Sequence, residues 1–150
     1  MENMDVLGYA HAPKQGIDNV LTLIVMNATL GWYDALRFGS ESGRAEISNN
    51  EGFFKRALVL AGKQRIDEFL ASAKAHPDET KSAIEQGVIL AEKFKNSDDY
   101  DHRWPTAYGL ERIICAQGGS CTPPPAKPAS DWPALWEEAK KVVAKYYSGF

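Results

Sequence analysis

The 150-residue chain is poor in the residues and spacings that usually announce chemistry. It has two cysteines, Cys115 and Cys121, with no CxxC pair or neighbouring histidine to complete a metal-ligand set. They read either as a buried Cys115 with a loop Cys121, or as a disulfide closing the Gly118-Gly119 turn. The three histidines, His11, His76 and His102, fall in predicted loops or helix ends, and none has a second histidine at ligand spacing. There is no Gly-rich phosphate loop, GxSxG, HExxH or EF-hand loop. Positive charge is not in excess: the net charge is -3, which argues against a nucleic-acid binder, since that task needs a basic footprint. The apolar run Val20 to Met26 holds Thr22 and is closed by Asn27, far short of the roughly 20 residues that span a bilayer. Glu2 and Asp5 stand where a secretory signal would carry positive charge, so the expected location is the cytoplasm, with no membrane partner. Internal repeats, low-complexity tracts and β-alternation are missing as well.

What is present is a helical pattern of ordinary globular composition, 44% apolar and 25% charged, at the usual size of a single domain. The fold expected is all-α, an irregular bundle of about five helices in one domain spanning residues 1–150. Its centre is the stretch from Gly16 to Gly39. Ile17, Val20, Leu21, Ile24 and Ala28 keep helical spacing, and Trp32, Ala35 and Leu36 continue it. Leu23, Met26, Leu30 and Tyr33 form a second apolar stripe. A helix apolar nearly all round is buried all round, either at the centre of the bundle or as the seam of a homodimer.

Around that centre the chain divides readily. Residues 1–16 read as a loose arm, and Gly39-Ser40-Glu41-Ser42-Gly43 as a loop. A second helix runs from about Glu51 to Ala75, with Phe54, Leu58, Ala61, Ile66, Phe69, Leu70 and Ala73 on its apolar face and Gly62 as a potential break. Its other face carries Lys55, Arg56, Lys63, Arg65 and Lys74, the most basic strip in the chain. His76-Pro77 closes it. A third helix covers Pro77 to about Lys95, with Ile84, Val88, Ala91 and Phe94 as its core stripe and Gly87 allowing close packing. A fourth opens at Trp104-Pro105, carries Tyr108, Leu110, Ile113 and Ile114, and stops at Gly118-Gly119. Residues 119–130 are a Pro-rich connector lying along the bundle. The last helix is capped by Ser130 or Asp131, has Glu137 and Lys141 as an i,i+4 pair, and runs Trp132, Leu135, Trp136, Ala139, Val142, Val143 and Tyr146 as one stripe.

The one cluster of functional residue types is Asp98, Asp99, Asp101 and His102. Carboxylates and imidazole together can hold a divalent metal or move protons. Consecutive aspartates in a loop point different ways, however, and no glycine shapes a coordinating turn. A solvated acidic loop and an acidic contact surface for a basic partner are the other readings. The candidate partner-binding residues are Asp98, Asp99, Tyr100, Asp101, His102, Arg103 and Trp104, because aromatics and arginine anchor interfaces while aspartates steer encounter. This favours a non-catalytic protein-binding module that needs no cofactor. The alternative is a small helical enzyme whose active site assembles from scattered residues around Asp98–His102.

In being a compact acidic helical chain without catalytic motifs, with the Asp98–Trp104 loop at a helix entrance, the protein resembles the small cytoplasmic immunity proteins of bacterial toxin–immunity pairs, such as those of interbacterial, type VI secretion-like systems. The resemblance implies an inhibitor that binds a toxin domain, here a basic one, and blocks its active site. It assigns no roles to individual residues.

Overall fold

The computed structural model describes residues 17–38, 45, 63–100, 113–114, 117–118 and 125–148. Among these the chain is all-α, with four α-helices, a short 3-10 turn and no strand. The helices are α1 (Ile17–Phe38), α2 (Lys63–Ala75), α3 (Pro77–Lys95) and α4 (Trp132–Tyr147), the last preceded by the 3-10 turn Ala129–Asp131.

The bundle is built around α1, which touches all three of the others and α3 most extensively. Between Asn19 and Phe38 only Asn19 is exposed, as its two apolar stripes require. Two polar residues in this helix are satisfied locally. Thr29 Oγ1 donates to Val25 O (2.7 Å) and Asn27 Nδ2 to Leu23 O (3.0 Å), the carbonyls one turn back. Thr22 Oγ1 instead reaches across to Ala83 O at 3.1 Å, joining α1 to α3.

Two apolar clusters divide the core lengthwise. Leu21 and Val25 of α1 pack with Ala83, Val143 and Tyr147. Leu30, Tyr33 and Leu36 pack with Ala91, Tyr100, Leu135, Trp136 and Ala139. This pairing makes α3 parallel to α1 and α4 antiparallel to both. The buried line on α3 is Thr80, Ala83, Gly87 and Ala91, with Ile84, Val88 and Phe94 half-buried beside it. Small residues occupy that line because the two backbones nearly touch. A Cβ at Gly87 would lie 2.7 Å from both Thr22 O and Val25 Cβ.

The helix boundaries follow local rules. The backbone before Pro77 leaves the helical region at His76 (φ -126°, ψ 63°), which separates α2 from α3. Thr80 Oγ1 then bonds Ala73 O at 3.0 Å and staples the two helices. Asp131 precedes α4 without a side-chain cap bond, because as the end of the 3-10 turn it is already helical (φ -88°, ψ -18°), whereas a capping side chain needs an extended backbone. Glu137 pairs with Lys140 at 2.7 Å, one residue short of the expected Lys141. Tyr147, not Tyr146, completes the buried stripe of α4.

The expected count of about five helices becomes four among the described residues. Of the stretch expected as the fourth helix, Ile113 and Ile114 are helical and exposed. Gln117 N bonds Ile113 O and Ile114 O there, and Gly118 takes the left-handed conformation (φ 80°) that ends a helix. The 1–16 arm, the Gly39–Gly43 loop, the start of the second helix with Gly62, and both Cys115 and Cys121 lie outside the described residues.

Candidate functional site

The chain leaves α3 in a hydrogen-bonded turn. Asn96 N donates to Glu92 O (3.1 Å), Ser97 N and Oγ both donate to Phe94 O (3.0 and 2.7 Å), and Tyr100 N donates to Ser97 O at 3.3 Å. Asp98 and Asp99 stand exposed at the tip. Lys95 donates to Asn96 Oδ1 at 2.7 Å and lies 5.1 Å above the Trp136 ring. Asp101, His102, Arg103 and Trp104 lie outside the described residues.

Tyr100 departs from its expected place as a surface anchor. It is buried, its ring packs edge-on against Phe94 at 5.8 Å, and its hydroxyl donates to Asp34 Oδ1. Inward orientation wins because a buried carboxylate awaits that hydroxyl. Arg37, one turn after Asp34 on α1, pairs with the same Asp34 oxygen and reaches Tyr100 Oη at 3.4 Å. A phenolic oxygen can donate to one group while accepting from the other.

Asp34 and Arg37 are both fully buried, a situation charged residues tolerate only when paired. The guanidinium is further enclosed by aromatic rings, 4.7 Å from the centroid of Tyr33, 5.1 Å from Trp132, 5.3 Å from Phe38 and 5.7 Å from Tyr100. Ring faces carry negative potential, so they favour the cation where water is missing. The backbone joins in as well. Lys127 N donates to Arg37 O at 2.7 Å, and Trp132 Nε1 donates to Lys127 O at 2.9 Å. The connector before α4 is thereby tied to the end of α1.

Burial is the main force on the Tyr100 hydroxyl and pushes its pKa well above the ordinary value. The Asp34 carboxylate adds to this by repelling a phenolate and by accepting the hydroxyl proton, while Arg37 opposes. Tyr33 is raised too, by burial first, with Arg37 opposing and Asp34 adding. Tyr100 therefore acts as a lasting hydrogen-bond donor. An aspartate, an arginine and a tyrosine together could do proton chemistry; all three are buried here. Their arrangement suits holding segments together.

Sequence reasoning passed over Asp34 and Arg37, although one signal was there. Two opposite charges at i,i+3, in a helix apolar on every side, have no solvent to face and must find each other. Among the described residues no group of three or more His, Cys, Asp or Glu side chains is placed to hold a metal, and no helix is long and apolar enough to cross a membrane. Compared with known proteins, the chain matches no family model, no curated protein and no solved structure.

Proposed function

We propose that this chain is a non-catalytic protein-binding module, in its specific form an immunity-type inhibitor that covers the active site of a basic bacterial toxin domain in the cytoplasm. One observation carries the reading: Asp98 and Asp99 face solvent on a turn whose backbone is hydrogen-bonded and whose next residue, Tyr100, is fixed in the core. Charge held this way loses little conformational freedom on binding, so more of the interaction survives as affinity. Two exposed carboxylates would steer a cationic partner towards the turn. Asp101, His102, Arg103 and Trp104, which continue the segment, would complete the contact.

The test compares the tagged chain with its Asp98→Lys/Asp99→Lys variant in affinity purification from the source cells. A basic protein recovered by the wild type and lost by the folded variant is the expected result. Co-expression of that protein with each form should then restore growth only with the wild type. Equal recovery by both forms, or a recovered protein that is harmless when expressed alone, would overturn the reading.

A further inference from the structure

Two segments far apart in the chain end on the same buried pair. The turn after α3 reaches it through the Tyr100 hydroxyl, which donates to Asp34 and lies 3.4 Å from Arg37 Nη2. The connector before α4 reaches it through Lys127 N, bonded to Arg37 O, and through the Trp132 ring 5.1 Å from the guanidinium carbon. Trp132 Nε1 holds Lys127 O, so the ring and the connector backbone are themselves linked. Arg37 is central because its guanidinium meets both segments, at the Tyr100 hydroxyl and at the Trp132 ring, while its carbonyl holds the second through Lys127 N.

We propose that Asp34 and Arg37 form a shared latch, so that the 96–100 turn and the 127–132 connector open and close as one unit. The physical reason is that neither segment can leave alone without cost to the other. Withdrawal of Tyr100 removes a donor from a buried carboxylate, which then draws Arg37 away from the rings above it. Withdrawal of Trp132 and Lys127 admits water to the guanidinium and weakens its hold on Asp34 and Tyr100. Groups that share one polar network couple in this way, whereas segments held by separate contacts open independently.

Single-amide hydrogen exchange by NMR tests the latch on the protein alone, with no partner. Tyr100→Phe keeps the ring and removes the hydroxyl, and Trp132→Phe removes the indole N–H. The latch predicts that Tyr100→Phe accelerates exchange of the Lys127 amide by about tenfold or more, as loss of a buried bond to a charged group implies, and that Trp132→Phe, which removes a neutral bond to Lys127 O, accelerates the Tyr100 amide by a smaller but clear factor. Amides in the middle of α1 should keep their protection. Acceleration confined to the mutated segment would overturn the proposal. Should a variant unfold, the unmodified chain decides in low urea. The Tyr100 and Lys127 amides should then share one opening free energy and one urea dependence, and two distinct dependences would overturn the latch.

Discussion

Arg37 concentrates the physics of this protein at the scale of one residue. A fully buried guanidinium is expensive to desolvate, and here the cost is offset by a carboxylate, a phenol and several ring faces. Removing one partner should hurt far more than removing both. Arg37→Met strands the Asp34 carboxylate and should cost about 3–5 kcal/mol. Asp34→Leu/Arg37→Met together should cost clearly less than the sum of the two single changes, as read in a double-mutant cycle of urea unfolding. Additive costs would mean that the two side chains do not act as a pair. Tyr100 adds a pH signature. Folding raises its pKa above the ordinary value of 10.0, so the native state keeps the proton where the unfolded chain releases it. Its contribution is complete below about pH 10 and is lost as pH rises above that. Urea melts of the wild type should fall in stability over this window, and Tyr100→Phe should fall less steeply. Tyr33, raised in the same direction, leaves a smaller slope behind.

At the scale of elements, the close approach of α1 and α3 is the most constrained feature. Gly87→Ala improves intrinsic helix propensity by about 1 kcal/mol. The added methyl would sit 2.7 Å from the Thr22 carbonyl oxygen and the Val25 Cβ, neither of which can swing aside. Overpacking of this kind costs about 1–3 kcal/mol, so the variant should melt lower than the wild type. A higher melting temperature would mean that the helices can separate freely. Trp32 tests the central place of α1, since it is half-buried and packs against both apolar clusters. Trp32→Asp should abolish the helical circular dichroism signal if the helix is the bundle centre. Soluble folded monomers would instead support a homodimer seam. The ends of α1 and α3, and the break at His76-Pro77, were legible in the sequence because proline geometry and apolar spacing act locally. Which residues of α3 face inwards was less legible. Periodicity marks Ile84, Val88, Ala91 and Phe94, and Gly87 as a close-packing point; Ala91 and Gly87 are buried as expected, but Thr80 and Ala83 take the rest of the buried line while Ile84, Val88 and Phe94 stand half-buried beside it, since contact distance selects for small size. Tyr147 displaced Tyr146 for a related reason, as a stripe defined by 3- and 4-residue steps drifts by one position over a long helix.

For the whole molecule, the all-α class followed from helical periodicity and the lack of β-alternation, while the anchor of the candidate site did not. Asp34 and Tyr100 are distant in sequence, and a contact of that kind leaves no spacing to read. Tyr100 therefore looked like a surface aromatic beside three aspartates, and only the packed structure turns it inwards. Asp98 and Asp99 keep the exposure that a charged contact surface requires. The most direct test of the account is binding kinetics of Asp98→Lys/Asp99→Lys against the purified basic partner, at low and at high salt. The account predicts an on-rate roughly tenfold slower at low salt, a flatter salt dependence and an unchanged melting temperature. An unchanged on-rate in a folded variant would contradict it, leaving the turn a solvated acidic tip and moving the contact to another face, with the basic strip that includes Lys74 next in line.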